Sequence, residues 1–186
     1  DNLNFEEFQK IELQQKVLVS FHLNETPYLS NAIGYINETP FIKINREVVY
    51  PTWLMSSDVG SVNASILLAV EYQITQDANF DYFLNSLAKL VMPLGLYCYS
   101  NPNLLKTNSG KLEFNSNKAN FKELFRFVKQ HYKLIWIFIL FVDFLIYEKK
   151  VPLSAFVLSF FYKRRTLNDL NFGVADFKGL NAIDNK

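Results

Sequence analysis

Two long apolar runs set the last third of the chain apart from the rest. Residues 134–142 are nine apolar side chains in a row, and a second apolar block covers residues 151–162. Ahead of them, residues 121–133 place apolar side chains at helical spacing with basic ones between, which predicts a basic amphipathic helix. That helix can continue to residue 147, and Pro152 suits the first turn of another helix. The pattern therefore predicts a helical C-terminal portion.

The first two thirds mix strand and helix patterns. Residues 16–23 are apolar and rich in β-branched side chains, which is typical of a buried strand. Other strand patterns cover residues 41–50 and 94–99. Helical patterns occupy residues 4–15, 28–36, 62–76 with Ser61 as the N-cap, and 80–92 with Asp77 or Asn79 before it. We therefore predict a helix-rich α/β or α+β fold, with a few strands in the N-terminal two-thirds and a helical C-terminal portion.

The composition favours one compact domain. With 186 residues, the chain is long enough to bury a sizeable core. Within it we distinguish a mixed α/β region at 1–105, a polar linker at 106–120, a basic apolar helical segment at 121–165 and a polar tail at 166–186. Aromatic residues make up 16% of the chain, a content that suits cores, interfaces and membrane surfaces.

The positive charge is concentrated on the most apolar segment. The formal net charge of the whole chain is +1, so nucleic acid is not an expected partner. Between positions 122 and 165, however, nine residues are basic and three are acidic. Anionic lipid surfaces attract this combination of apolar and basic side chains. The predicted membrane or phosphate contacts are Lys149, Lys150, Lys163, Arg164 and Arg165.

The apolar run at 134–147 is too short to cross a bilayer as a helix. Fourteen helical residues span about 21 Å, whereas the hydrocarbon core is roughly 30 Å thick. Asp143 would also lie within that core, at a high energetic cost. Two interpretations stay open, namely a fully buried core helix and a helix that lies in the membrane surface. The polar, acidic start of the sequence and its single cysteine favour a reducing compartment, so we expect a cytoplasmic location, peripheral on the inner membrane.

Candidate catalytic side chains are few and scattered. The sequence has no glycine-rich phosphate loop, its two histidines lie far apart, and no metal site is expected. His22 and Glu25 flank a strand end, where a general acid or base can act, although a structural hydrogen-bonded pair is favoured. Asp58 lies in a polar loop that we expect to precede a helix, and Asp81 lies in the first turn of another. Capping of the helix or of its turn is the favoured explanation for Asp58, and the helix dipole, which favours acids in the first turn, explains Asp81 equally well. Cys98 is interpreted as a core residue.

Two stretches resemble a known enzyme family. Residues 121–150 with the FYKRR sequence at 161–165, and residues 79–105, are similar to the later regions of bacterial family 2 glycosyltransferases. The resemblance implies sugar transfer from a nucleotide-sugar donor to a lipid-linked acceptor at the cytoplasmic membrane surface, in surface polysaccharide assembly. The chain lacks the Asp-x-Asp metal motif of that family, so no catalytic residue is carried over. Asp58 and Asp81 are the acids to test first, on position alone.

A non-enzymatic role is the alternative. In that hypothesis the apolar run at 134–147 forms the interface of a homo-oligomer or of a complex with another protein, and the aromatic surplus supplies the interface core. A third hypothesis makes the same run the central core helix of a globular domain.

Overall fold

A four-stranded mixed sheet forms the N-terminal layer of the protein. The computed structural model describes residues 2–12, 14, 16–23, 26–37, 44–70, 79–106 and 118–167. The strands are β1 (Val17–Phe21), β2 (Tyr50–Pro51), β3 (Val59–Val62) and β4 (Tyr97–Ser100), in the order β2-β4-β1-β3. β1 and β4 are parallel, whereas the β1–β3 and β2–β4 pairs are antiparallel.

The central strand β1 is as buried as its composition predicts. Leu18 lies opposite Cys98 of β4 and Val62 of β3, so the strand is hydrogen-bonded on both sides. Gly60 of β3 lies opposite Ser20, where a Cβ atom would be 2.6 Å from the carbonyl oxygen of Val19. Only glycine therefore allows β3 to approach β1 this closely.

Seven α-helices accompany the sheet within the described ranges. They are α1 (Phe5–Glu12), α2 (Gly34–Asn37), α3 (Ala64–Val70), α4 (Phe80–Val91), α5 (Phe121–His131), α6 (Ile135–Ile146) and α7 (Leu153–Ser159). Asn79 caps α4, and Asn120 forms a capping box with Glu123 at the start of α5. The predicted helix-rich α/β or α+β class is confirmed.

The C-terminal helices share a hydrophobic core with the sheet. Leu18 of β1, Leu87 of α4, Phe125 of α5 and Leu140 of α6 belong to one buried cluster. Aromatic rings fill its centre, where Phe127 stacks on Trp53 with ring centroids 5.4 Å apart. The predicted linker and tail lie largely outside the described residues.

Several predicted elements differ from the structure. The helix at 121–147 is interrupted, because Tyr132 is extended and separates α5 from α6. Ser61 lies in β3 rather than at a helix N-cap, and the side chain of Asn63 accepts from the amide of Ser65 instead.

Three other elements are shorter in the structure than the sequence predicts. Of the expected strand at 41–50, only Tyr50–Pro51 is a strand, and residues 41–43 lie outside the described ranges. The helix at 28–36 is a 3-10 turn, Asn31–Ile33, followed by the single turn of α2. Residues 71–76 of the predicted third helix also lie outside the described ranges.

Helix α6 has one buried side and one exposed side. Ile137, Leu140 and Phe144 form a buried stripe against the core. The opposite side of the helix is exposed although it is equally apolar, with Ile135, Phe138, Val142, Leu145 and Ile146 all accessible. No helix within the described residues has the length and apolar content needed to cross a bilayer.

The same truncation should lower the stability of the protein by different amounts on the two sides of α6. Leu140→Ala removes a side chain that is 0% exposed and leaves a cavity, so the free energy of unfolding should fall by about 3 kcal/mol. Leu145→Ala, on a side chain that is 39% exposed, should cost less than about 1 kcal/mol. Urea denaturation of the two variants measures this difference. Equal losses would contradict the assignment of the buried stripe.

Candidate functional site

Buried polar side chains hold an irregular loop at the carboxyl end of β1. The loop, residues 52–58, connects β2 to β3. Ser20 Oγ accepts a hydrogen bond from the Ser56 amide at 3.0 Å. Asn85 of α4 binds both backbone groups of Met55, with its Oδ1 3.1 Å from the amide nitrogen and its Nδ2 2.8 Å from the carbonyl oxygen. Because these bonds are buried, the loop is pre-organised by the core beneath it.

Three of the four predicted catalytic candidates meet at this loop. Asp58 Oδ2 accepts from the amide of Leu23 at 3.0 Å, which ties the loop to the end of β1. Asp81 Oδ1 accepts from the amide of Ser57 at 2.8 Å. His22 lies close enough to both carboxylates for each to raise its pKa. Glu25, the fourth candidate, lies outside the described residues.

Burial disfavours the protonated form of the His22 imidazole. Desolvation is the largest influence and lowers the pKa of His22 below its ordinary value. The negative charge of Asp58 raises this pKa and the positive charge of Arg46 lowers it. A hydrogen bond with the backbone of Leu54 also raises it. The Nε2 atom of His22 is buried and has no hydrogen-bond partner among the described residues. A substrate hydroxyl group would reach this atom only if the loop moved, so His22 is a candidate base by position alone.

The acidic candidates have different roles in the fold. Asp81 is buried in the first turn of α4, and its carboxylate binds the loop, so the prediction that it acts only as a helix-terminal acid is incomplete. Asp58 precedes strand β3 rather than a helix, so the expected helix N-terminus is not there. Its carboxylate is the more accessible of the two.

Sequence reasoning missed Ser20 and Asn85, which position the loop. Asn85 follows Asp81 by four residues on the buried side of α4. Two polar residues at this spacing on an otherwise apolar helix face are the signal that could have identified the anchor.

A second polar cluster joins α4, α5 and the segment after α7. Arg165 Nη1 donates to Ser86 Oγ at 2.7 Å, and Ser86 Oγ lies 3.0 Å from His131 Nε2. The amide of Arg165 donates to the carbonyl of Gln130 at 2.9 Å. Because Ser86 is fully buried, the serine–histidine pair is a structural contact rather than a nucleophile with its base.

The predicted membrane-contact residues divide into two groups. Lys149, Lys150, Lys163 and Arg164 are exposed. Arg165 is partly buried, and its guanidinium binds Ser86 and lies 5.6 Å from the ring centroid of Tyr82. Its side chain is thus held within the protein.

An aromatic slot holds Lys89, which the sequence did not single out. Its Nζ atom is 4.6 Å from the ring centroid of Trp53 and 4.7 Å from that of Tyr132, and it donates to Asn37 Oδ1 at 2.9 Å. Burial lowers the pKa of Lys89 to about 8. The contacts tie α2 and α4 to the turn before α6.

The exposed side of α6 continues onto α7. Phe138 of α6 contacts Phe156 of α7 and Phe160 just after it, with ring centroids 5.4 and 5.8 Å apart. We call this surface the α6–α7 face. Its exposed apolar members are Ile135, Phe138, Val142, Leu145, Ile146, Val151, Leu153, Val157, Leu158, Phe160 and Phe161.

The described residues contain no cluster of three or more histidine, cysteine or acidic side chains placed to hold a metal ion. No protein-family model, curated protein or solved structure matches this chain.

Acid should destabilise the protein through His131. Burial, with Arg165 and Lys89 nearby, lowers the pKa of His131 to about 3, against an ordinary value of 6.5. Between these values the unfolded chain binds a proton that the folded protein does not, so the free energy of unfolding falls as the pH decreases below about 6.5. In His131→Gln, the slope of that free energy between pH 5 and 6 should be smaller by roughly 1 kcal/mol per pH unit. Urea denaturation across this range measures the slope, and an unchanged slope would contradict the assignment. Since His22 remains in both proteins, its contribution cancels.

Proposed function

We propose that this protein is related to glycosyltransferases and acts at the anionic surface of the cytoplasmic membrane, in surface polysaccharide assembly. The α6–α7 face is the observation that supports the membrane part of the proposal. It presents large apolar side chains on two neighbouring helices to solvent, where isolated globular domains seldom have a continuous patch of that kind.

The free energy of burying the apolar side chains of this face is large enough for reversible membrane binding. Full burial of one large aliphatic or aromatic side chain contributes about 1.5–3 kcal/mol. Members of the face are already partly covered, so each contributes only a fraction of that. Several acting together, with the basic residues that follow both helices, can still offset the roughly 4–15 kcal/mol that association costs. Helices with one side embedded lie within the headgroup region and need no bilayer-spanning length.

The charges near the face favour an anionic surface over a second copy of the chain. Lys149 and Lys150 follow α6, and Lys163 and Arg164 follow α7, and all four are exposed. In a twofold dimer through this face, basic groups of one copy would lie near those of the other, because the same patch is used twice. Each lysine or arginine near an anionic leaflet instead contributes about 1 kcal/mol.

The chemical part of the proposal rests on the resemblance and on the loop at residues 52–58. The loop lies at the carboxyl end of β1, beside the parallel strand β4, a common position for ligand sites in α/β folds. Asp58, whose carboxylate is exposed, would contact hydroxyl groups of a nucleotide-sugar donor, and His22 lies beside it as the candidate general base. A lipid-linked acceptor fits an enzyme that rests on the membrane.

Vesicle co-sedimentation tests the membrane part. The protein should bind vesicles of phosphatidylcholine with phosphatidylglycerol at low salt and release them at high salt, because exposed charges are screened. Phe161→Asp, at a side chain that is 81% exposed, should weaken binding at least about tenfold. Phe5→Asp is the matched control, since Phe5 is exposed on α1, outside the face, and should bind as the wild type does.

Two outcomes would contradict the membrane proposal. One is the absence of binding to anionic vesicles at low salt. The other is an oligomer, detected by light scattering, that Phe161→Asp dissociates and Phe5→Asp does not. That second result would favour the homo-oligomer hypothesis.

Titration calorimetry with nucleotide-sugars tests the chemical part. We expect binding of at least one donor, weakened about tenfold or more in Asp58→Asn because a charge-assisted hydrogen bond is lost. Glu47→Gln provides the control, because Glu47 is an exposed acid outside the loop. If no nucleotide-sugar binds, or if both variants bind as the wild type does, the assignment of the loop as a donor site is wrong.

A further inference from the structure

The turn between α6 and α7 contains a residue in an unusual backbone conformation. Lys149 has φ = 52°, in the left-handed region that residues with a Cβ atom disfavour. The conformation is coupled to the end of α6, where the amide of Lys150 donates to the carbonyl of Phe144 at 3.1 Å. Glycine adopts this conformation without strain and is the residue most often found after a helix end of this kind. On backbone grounds, position 149 therefore favours glycine.

Contacts within the described protein do not explain why a lysine occupies the position. The neighbouring Lys150 forms an ion pair with Glu148, with Nζ 3.5 Å from Oε2, and lies 5.9 Å from the ring centroid of Phe121. The Lys149 side chain is exposed and forms no ion pair, hydrogen bond or ring contact with any residue that the structure describes. A strained residue whose side chain has no internal role is a candidate for an external contact.

The residues on either side of Lys149 fit the boundary between headgroups and acyl chains. Tyr147 and Val151, each two positions away, are 66% and 69% exposed. Tyrosine is enriched at this boundary, because its ring is apolar and its hydroxyl group is polar. The ring of Tyr147 stacks on that of Tyr35, with centroids 5.6 Å apart, and its remaining surface is exposed. The turn thus presents one ammonium group between an anchored tyrosine ring and the exposed side chain of Val151.

We propose that Lys149 is the residue at the tip of the α6–α7 hairpin that binds the phosphate of an anionic lipid headgroup. The inference rests on the proposed membrane function and specifies its contact. The ammonium group supplies three donors to phosphate oxygens, and Val151 and the exposed surface of the Tyr147 ring flank it at headgroup depth. Lysine at this position would then lower the stability of the fold through backbone strain and raise the affinity for lipid.

Replacing Lys149 by glycine should therefore raise the stability of the protein and weaken its binding to lipid. Lys149→Gly relieves the strain, so the Tm of the full chain should rise by roughly 2–4 °C. The same variant should lose about tenfold or more of its affinity for phosphatidylglycerol-containing vesicles, because a charge-assisted contact is removed. Lys149→Arg keeps the charge and the strain, so both its Tm and its affinity should stay close to those of the wild type.

Lys163→Gly is the matched control. It removes an equal charge from the exposed end of the same helical segment, so its affinity should fall about fivefold, the value for one surface charge near an anionic leaflet. Thermal melts and vesicle co-sedimentation of the four proteins at one salt concentration supply both readouts.

The outcomes separate this inference from the function on which it rests. If the wild type binds the vesicles and Lys149→Gly loses no more affinity than Lys163→Gly, the contact assigned to Lys149 is wrong and the membrane function stands. A Tm of Lys149→Gly at or below the wild-type value also overturns the inference, because no strain is then relieved. If the wild type does not bind the vesicles, both proposals fail.

Discussion

The stacking of Trp53 on Phe127 is the contact on which the rest of the arrangement depends. Trp53 belongs to the loop after β2, and Phe127 lies at the middle of α5, so the pair joins the sheet layer to the C-terminal helices. Tyr82 of α4 packs edge-on against the same Phe127 ring, with centroids 5.8 Å apart. The anchor at Asn85 lies one turn further along α4 from Tyr82. The aromatic core therefore sets the distance between α4 and the loop, and the polar contacts of the loop depend on that distance.

Helix α6 is apolar on both its buried and its exposed side. Apolar side chains occur on all its sides, yet only the stripe of Ile137, Leu140 and Phe144 is fully buried, while Trp136 and Phe141 are partly covered. A helix that is apolar on all sides is normally enclosed in a core or in lipid. Here the core encloses one side, and the exposed remainder is continuous with that of α7. The proposed bilayer contact would complete the enclosure, and the interruption at Tyr132 allows α6 to take a direction independent of α5.

The fold was more accessible to sequence reasoning than the site. The buried strand β1 and the helix α4 follow directly from apolar composition and period, and both are present close to the predicted positions. The end of α5 was missed because residues 121–147 have no proline or glycine to mark it, and the break depends on tertiary contacts of Tyr132, whose hydroxyl group donates to Asn37. Residues 59–62 were interpreted as part of a loop and helix start, since a short strand with a glycine has little pattern of its own. The meeting of His22, Asp58 and Asp81 depends on pairing between distant segments, which spacing along the chain does not encode.

The parallel pairing of β1 with β4 also has a consequence for how the chain folds. Val17 pairs with Tyr97, so the central strand cannot complete its hydrogen bonds until a segment eighty positions later is available. Contacts between residues so distant in sequence slow folding, because the entropy of closing a long loop is lost before the contacts form. During synthesis, the ribosome therefore releases an apolar strand well before its central partner has been made. Its exposed edges are open to pairing with other chains in that interval, so protection of this strand by chaperones would favour correct folding.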